Sequence, residues 1–295
     1  MAWEPDDSAL ELLECAGPFE QSAYRAACVS ALSAAEDVSF GGHLADGARA
    51  AAALVRVGST AQSCPYGYGG IRSTRSLSDD EIRSFLEQAR AAGRAPRVVV
   101  RAVDLGANEQ PGRVVGTTTV AYLSEEPEAG FAKKARQSIR RAIRAGGSCE
   151  ASGDPEPFLS LYANASREWG MQYPAELVRA TAAAGITRFY DVLIDRRVDG
   201  SAVALVGNEH WMYWFAAQNE AGRDAEVGYL AVATMLSDAH SAGVGAVNLG
   251  ASARLPGVAY FKHRLGGVER PMHELRAAGG LVALLDRARA ISRNR

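Results

Sequence analysis

Residues 248–267, NLGASARLPGVAYFKHRLGG, read as the end of a buried strand, a loop of small residues and a short helix carrying Phe261 and Lys262. Val258, Phe261 and Leu265 fall at i, i+3 and i+7, which makes one apolar helical face. Lys262 is expected at the edge of that face. Its stem can be covered while its ammonium points into a cleft, or it is a surface lysine that snorkels. The choice of lysine is itself informative. Of 32 basic side chains only Lys133, Lys134 and Lys262 are lysine. Lysine is a compact point charge whose pKa shifts readily on desolvation, which arginine's does not.

The rest of the chain alternates helix and strand signals. Residues 19–36 read as a helix, Ala51–Val57 as a strand, and Ser78 to Glu81 as a capping box opening a helix over 79–92. Arg97–Val103 and Val114–Leu123 are β-branched strands. Between the strand at 51–57 and the helix over 79–92, residues 64–70 (CPYGYGG) form an irregular loop in which Tyr66 and Tyr68 offer flat faces to a ligand or pack on the core. Phe131–Ala145 is a strongly basic helix bearing Lys133, Lys134, Arg136, Arg140, Arg141 and Arg144. These cations contact phosphates, or they form a solvated face balanced by Glu125, Glu126 and Glu128. Gly146-Gly147 and the stretch 152–155 mark a break, so a domain boundary is placed near residue 150.

Beyond it come helices over 155–169 and 174–184 and strands over 188–196, 201–207 and 210–217. Asp199-Gly200 signals a hairpin turn. Alternation along the aromatic strand puts Trp211, Tyr213 and Phe215 on one face and Met212 and Trp214 on the other. A helix over 226–242, a strand at 246–249, the 248–267 stretch, a strand over 268–275 and a last helix over 281–291 complete the pattern. Mixed helices and strands imply an α/β or α+β architecture.

The net charge of −2 gives no global attraction for nucleic acid, so any RNA contact must be local. Cys15, Cys28, Cys64 and Cys149 have no metal-ligand or CxxC spacing and are expected to be reduced. No metal site is visible, no segment has signal-peptide architecture, and no apolar run reaches the ~18–20 residues that span a bilayer. A cytoplasmic location is the expectation.

Gly250-Ala251-Ser252, Gly257, Phe261-Lys262 and Gly266-Gly267 together resemble the closing motif of the Fem-type aminoacyltransferases, which use aminoacyl-tRNA to extend peptidoglycan peptides. The basic stretch 134–146 resembles that family's inter-domain helix, and residues 65–70 its aromatic-glycine segment. The resemblance implies an α+β fold of two acetyltransferase-like (GNAT) domains in tandem, each a mixed, mainly antiparallel sheet flanked by helices. The expected domains are 1–150 and 151–278, with residues 279–295 returning as a helix onto the first. No heptad run marks the coiled-coil arm of some members.

The function implied is transfer of a small amino acid, most simply alanine, from tRNA to the amino group of a peptide acceptor, either a natural-product intermediate or a peptidoglycan precursor. No cofactor is implied beyond the aminoacyl-tRNA co-substrate. Lys262 would stabilise the oxyanion and Phe261 would shield it. Tyr66, Tyr68, Tyr213, Trp214, Asn248 and Ser252 would bind substrate, and the six cations of the basic helix would bind tRNA. Many relatives carry an acidic residue where Asn248 stands. His210, His240 and His263 are candidate bases, though each fits a structural role. The alternative is an acyl-CoA-dependent N-acyltransferase, but 223–228 (RDAEVG) has the wrong glycine spacing for a pyrophosphate loop. A further alternative is a GNAT-like binding module without catalysis.

Overall fold

Ser78 closes the start of a helix as its sequence requires. Its hydroxyl accepts from Glu81 N at 3.3 Å, and Glu81 Oε2 accepts from Ser78 N at 2.7 Å. Helix Asp79–Ala92 and strand Arg97–Val103 follow with the boundaries expected from sequence. The computed structural model describes residues 3–103, 112–124, 126–169, 174–252 and 255–280. The expected last helix, at 281–291 within 279–295, lies outside them.

The chain forms two compact units. Apart from Ala16–Pro18, which group with the second unit, the chain passes from the first to the second between Val115 and Gly116 and returns between Pro271 and Met272. In the first unit the elements are β1 (Glu4–Pro5), α1 (Glu11–Glu14), α2 (Ser22–Ala31), β2 (Ala35–Asp37), β3 (Phe40–His43), β4 (Arg49–Ala52), β5 (Val55–Val57), β6 (Thr60–Gln62), β7 (Ile71–Ser73), α3 (Asp79–Ala92) and β8 (Arg97–Val103). Strands β1, β3, β4 and β7 make one antiparallel sheet. In the other, β6 lies parallel to β8 and antiparallel to β5, which pairs with β2. The core is built on Trp3, Phe40, Leu54, Phe85 and Val98. The expected strand 51–57 is two strands in two sheets, divided at Ala53-Leu54.

In the second unit β9 (Arg113–Tyr122) leads to α4 (Lys133–Arg144), β10 (Ser148–Ser152), α5 (Glu156–Trp169), α6 (Ala175–Ala183), β11 (Thr187–Ile194), β12 (Arg197–Leu205), β13 (Trp211–Gln218), α7 (Glu220–Ala225), α8 (Val227–Ser241), β14 (Ala246–Gly250) and α9 (Pro256–Arg264). β15 (Gly267–Ala278) carries the chain back, its residues Met272–Ala278 pairing with β8 in the first unit. The sheet order is β10-β11-β12-β13-β14-β9, antiparallel except for β13 and β14. A parallel pair needs a crossover, and α8 supplies it. Its buried residues Val232, Met235 and Leu236 join Ala135, Ile139 and Ala142 of α4, Tyr190 and Trp211 in one core. Phe158 and Tyr162 of α5 pack instead on Phe189 and Phe215. The second unit is thus a mixed, mainly antiparallel sheet flanked by helices, and the first carries an antiparallel sheet beside a mixed one.

The break near residue 150 is not where the units part. Gly146-Gly147 ends α4, but β10 follows at once and pairs with β11. The hairpin between β11 and β12 turns at Asp195-Arg196, both with positive φ, rather than at Asp199-Gly200. Two consecutive left-handed residues make the mirror-image turn that suits strand twist. Asp199 lies within β12 and is buried. The expected helix 226–242 is preceded by a separate short helix, α7.

Candidate functional site

Strand β14 is buried along its whole length and pairs with β13 through Trp211–Val247 and Met212–Asn248. The carboxyl ends of parallel strands are where open α/β sheets bind ligands. Here β14 ends at Gly250, whose φ of +81° suits glycine. A Cβ there would stand 3.1 Å from Met212 Cε and 3.6 Å from Lys262 Nζ. Asn248, itself buried, holds this corner. Its Oδ1 accepts from Thr118 Oγ1 at 2.7 Å and from Gly250 N at 2.8 Å.

Lys262 faces this corner from α9. It is 3% exposed, where the sequence pattern placed it at the edge of an apolar face. The three residues expected to form that face divide: Leu265 is buried, whereas Val258 and Phe261 are half-buried. Lys262 Nζ donates to Gly250 O at 2.9 Å and to Ala251 O at 3.0 Å. Among the described residues no carboxylate lies within ion-pair distance of it. Burial alone lowers its pKa from 10.5 to about 8. The ammonium is therefore a buried positive charge held by two neutral carbonyls. Such a group attracts an anion or a developing negative charge.

Phe261 packs on Tyr229 of α8, with ring centroids 4.7 Å apart. Tyr213 is half-buried on β13, and burial pushes its hydroxyl well above the usual tyrosine range. Its carbonyl lies 3.7 Å from the Cβ position of Gly250. Ser252 is half-buried two residues beyond Gly250, and its Oγ is a buried atom with no hydrogen-bond partner. Trp214 packs against Phe215 with the rings tilted and their centroids 4.2 Å apart. The simple alternation expected there fails because β12 and β13 shift register between Phe215 and Tyr213. Phe215 consequently joins the α5 rings rather than Trp211.

Tyr66 and Tyr68 belong to the first unit, whereas Lys262, Asn248, Tyr213 and Ser252 belong to the second. Tyr66 is 43% exposed with φ of +63°. Tyr68 meets Phe19 edge-on at 5.9 Å. The loop holding them is irregular, as its glycines require.

Helix α4 buries Ala135, Ser138, Ile139 and Ala142. Ile143, four residues after Ile139, is exposed. Lys133, Lys134, Arg140, Arg141 and Arg144 are exposed and Arg136 is half-buried. Arg141 pairs with Glu226 at 3.8 Å, and Arg136 donates to Phe131 O. Among the described residues Lys133, Lys134, Arg140 and Arg144 have no ion-pair partner, so Glu126 and Glu128 do not balance them. Lys133 and Lys134 also oppose the dipole of the helix whose first turn they occupy.

Two features had no signal in the sequence. Thr118, 130 residues from Asn248, braces it. Glu226 takes a left-handed conformation at the start of α8 without capping it by its side chain. None of the three histidines is bonded to Lys262 among the described residues. His210 lies 3.9 Å from Glu209 and His263 3.7 Å from Glu269. Cys28 and Cys64 are buried free thiols; burial pushes Cys28 up to about 12 and Cys64 well above the usual thiol range.

Residues 133–263 match the family described as an acetyltransferase (GNAT) domain, an interval running from the start of α4 to the residue after Lys262. No curated protein matches the sequence. Among solved structures the chain is similar to FemX, with a TM-score of 0.66 and 11% identity over 88% of this chain and 91% of that one. It is also similar to a tandem GNAT protein from the clavulanic acid biosynthesis pathway, with a TM-score of 0.54 and 15% identity over 94% and 99% of the two chains. L-PGS from Bacillus licheniformis follows at 0.53 and 15%, over 99% and 97%. The resemblance read from the 248–267 stretch is thus borne out at the level of the fold, and the chain has a Fem-like GNAT fold.

Proposed function

We propose that this chain is an aminoacyltransferase that moves a small amino acid, most simply alanine, from aminoacyl-tRNA to the amino group of a peptide acceptor. The acceptor is a natural-product peptide intermediate or a peptidoglycan precursor. The observation that carries this reading is the buried ammonium of Lys262 at the end of the β13–β14 pair, held by two carbonyls and with no carboxylate partner among the described residues. Attack of an amine on the aminoacyl ester passes through a tetrahedral intermediate with an oxyanion. A preorganised charge at that oxygen supplies several kcal/mol of transition-state stabilisation. With its pKa at about 8, Lys262 remains mostly charged at pH 7, which suits an oxyanion donor rather than a base. Phe261, packed on Tyr229, holds α9 in place and excludes water. The ester's leaving ribose hydroxyl takes a proton and the attacking amine loses one. Tyr213, Trp214, Asn248 and Ser252, and Tyr66 and Tyr68 in the first unit, are proposed to contact or shape the substrate sites. The cations of α4 are proposed to meet tRNA phosphates.

An acyl-CoA donor is the second reading, favoured by the GNAT family match. Against it stands the start of α8. A pyrophosphate loop would present free backbone N–H groups there. This chain instead inserts α7 and places the carboxylate-bearing Glu226 at the helix start. The test is a transfer assay with labelled alanyl-tRNA or labelled acetyl-CoA and a pool of small peptides, with and without ribonuclease. Ribonuclease-sensitive transfer from the tRNA is the expected result. Transfer from acetyl-CoA alone refutes the tRNA reading.

A further inference from the structure

Helix α9 has a second face with no part in the Lys262 corner. Tyr260 is 57% exposed on it. Arg264, one turn later, lies over that ring with its guanidinium carbon 3.6 Å from the centroid. The guanidinium also donates to the Tyr260 hydroxyl, and at 3.4 Å to the Tyr229 hydroxyl. Among the described residues no carboxylate pairs with Arg264. Its charge is therefore oriented by two phenols and left unneutralised. One face of the Tyr260 ring is covered by a cation and much of the residue remains open to solvent.

The backbone places this pair next to the basic helix. Ala132, the N-cap of α4, donates its N–H to Arg264 O at 2.8 Å. Lys133 and Lys134 follow immediately. An exposed aromatic ring braced by arginine, adjoining unpaired cations, is the combination that binds single-stranded nucleic acid. The ring stacks a base and the cations track the backbone.

We propose that Tyr260 and Arg264 form a stacking platform for a base in the unpaired 3′ end of an RNA donor. This rests on the tRNA-linked reading above and adds to it a subsite outside the reacting corner. Tyr260 and Lys262 project from different sides of a helix about 10 Å across. The base on the platform is accordingly upstream of the ribose that carries the ester. Stacking is tolerant of base identity, so the platform orients the strand without reading its sequence.

The test uses the full chain and a fluorescently labelled single-stranded RNA ending in CCA, read by anisotropy across a salt series. Tyr260→Ala is expected to weaken binding by about tenfold, and Tyr260→Phe to leave it near wild type. The slope of log K against log salt should be the same in Tyr260→Ala as in wild type, because no phosphate contact is removed. Lys134→Ala should instead lower that slope by about 0.7. Tyr260 is exposed, and unchanged thermal melting of its variants establishes that they fold. RNA binding by wild type that Tyr260→Ala leaves intact overturns the platform alone. No RNA binding by wild type overturns the platform and the tRNA reading together. A parallel arm with phosphatidylglycerol vesicles covers a lipid surface as occupant. Tyr260-dependent vesicle binding without RNA binding also overturns the proposal.

Discussion

Replacing Lys262 by methionine removes the charge and keeps most of the volume, and its consequence can be worked from the structure. The folded-state pKa is about 8 against 10.5 for an ordinary lysine. In the window between these values the unfolded chain binds more protons than the folded one, so stability rises with pH. Below pH 8 both states are protonated, and burial of the charge costs about 3 kcal/mol. From pH 7 to pH 9 wild type recovers about 1.4 kcal/mol of this. Lys262→Met has no such proton to lose. Its absolute stability at pH 7 is a poor readout, because the relief is offset by removing the buried donor to Gly250 O, at about 1–3 kcal/mol. The difference between variant and wild type is the clean quantity, since groups common to both cancel. Urea unfolding at pH 7, 8 and 9 should show that difference moving by about 1.4 kcal/mol in favour of wild type. Turnover should fall by about 10²–10³ in the variant, and wild-type turnover should decline above pH 8 as the ammonium is lost. Parallel stability curves would show that the ammonium is not desolvated. Undiminished turnover would refute the catalytic role.

Three further outcomes are expected. Gly250→Ala forces a left-handed conformation on alanine and drives its Cβ towards Met212, so it should cost about 1–2 kcal/mol by urea unfolding and displace the carbonyl that holds Lys262. Ser78→Ala removes one half of the capping box and should lower stability by about 1 kcal/mol with transfer activity retained. In a native thiol titration only Cys15 should react quickly; Cys28 and Cys64 are buried, and burial also pushes the half-buried Cys149 up to about 11, so rapid labelling of Cys28 or Cys64 would contradict their burial.

Local signals made much of the fold legible. The capping box at Ser78 and Glu81 set the start of α3, and Gly93 set its end. The β-branched runs set β8 and β9, and the spacing of lysines and arginines revealed α4. Where the reading failed, the deciding contact lay elsewhere in the chain. The run 51–57 is uniformly apolar, and nothing in it shows that two different sheets claim its two halves. Asp199-Gly200 is a good turn dipeptide, but the register of β11 against β12 buries Asp199 and gives the turn to Asp195-Arg196. A one-residue slip between β12 and β13 sends Phe215 to the face opposite the one alternation implied.

The same division holds at the candidate site. The sequence by itself determined which residue stands out: a lone lysine beside a phenylalanine, after a strand and a glycine loop, in a chain that otherwise prefers arginine. Its pattern could not decide whether that lysine faces water. Only the tertiary structure did so, by bringing the end of β14 and helix α9 together so that Gly250 O and Ala251 O hold the ammonium. Helical spacing records direction relative to one axis, whereas desolvation depends on atoms supplied by distant segments. A depressed lysine pKa is therefore a property of the packed corner, which the spacing of Phe261 and Lys262 points to but does not contain.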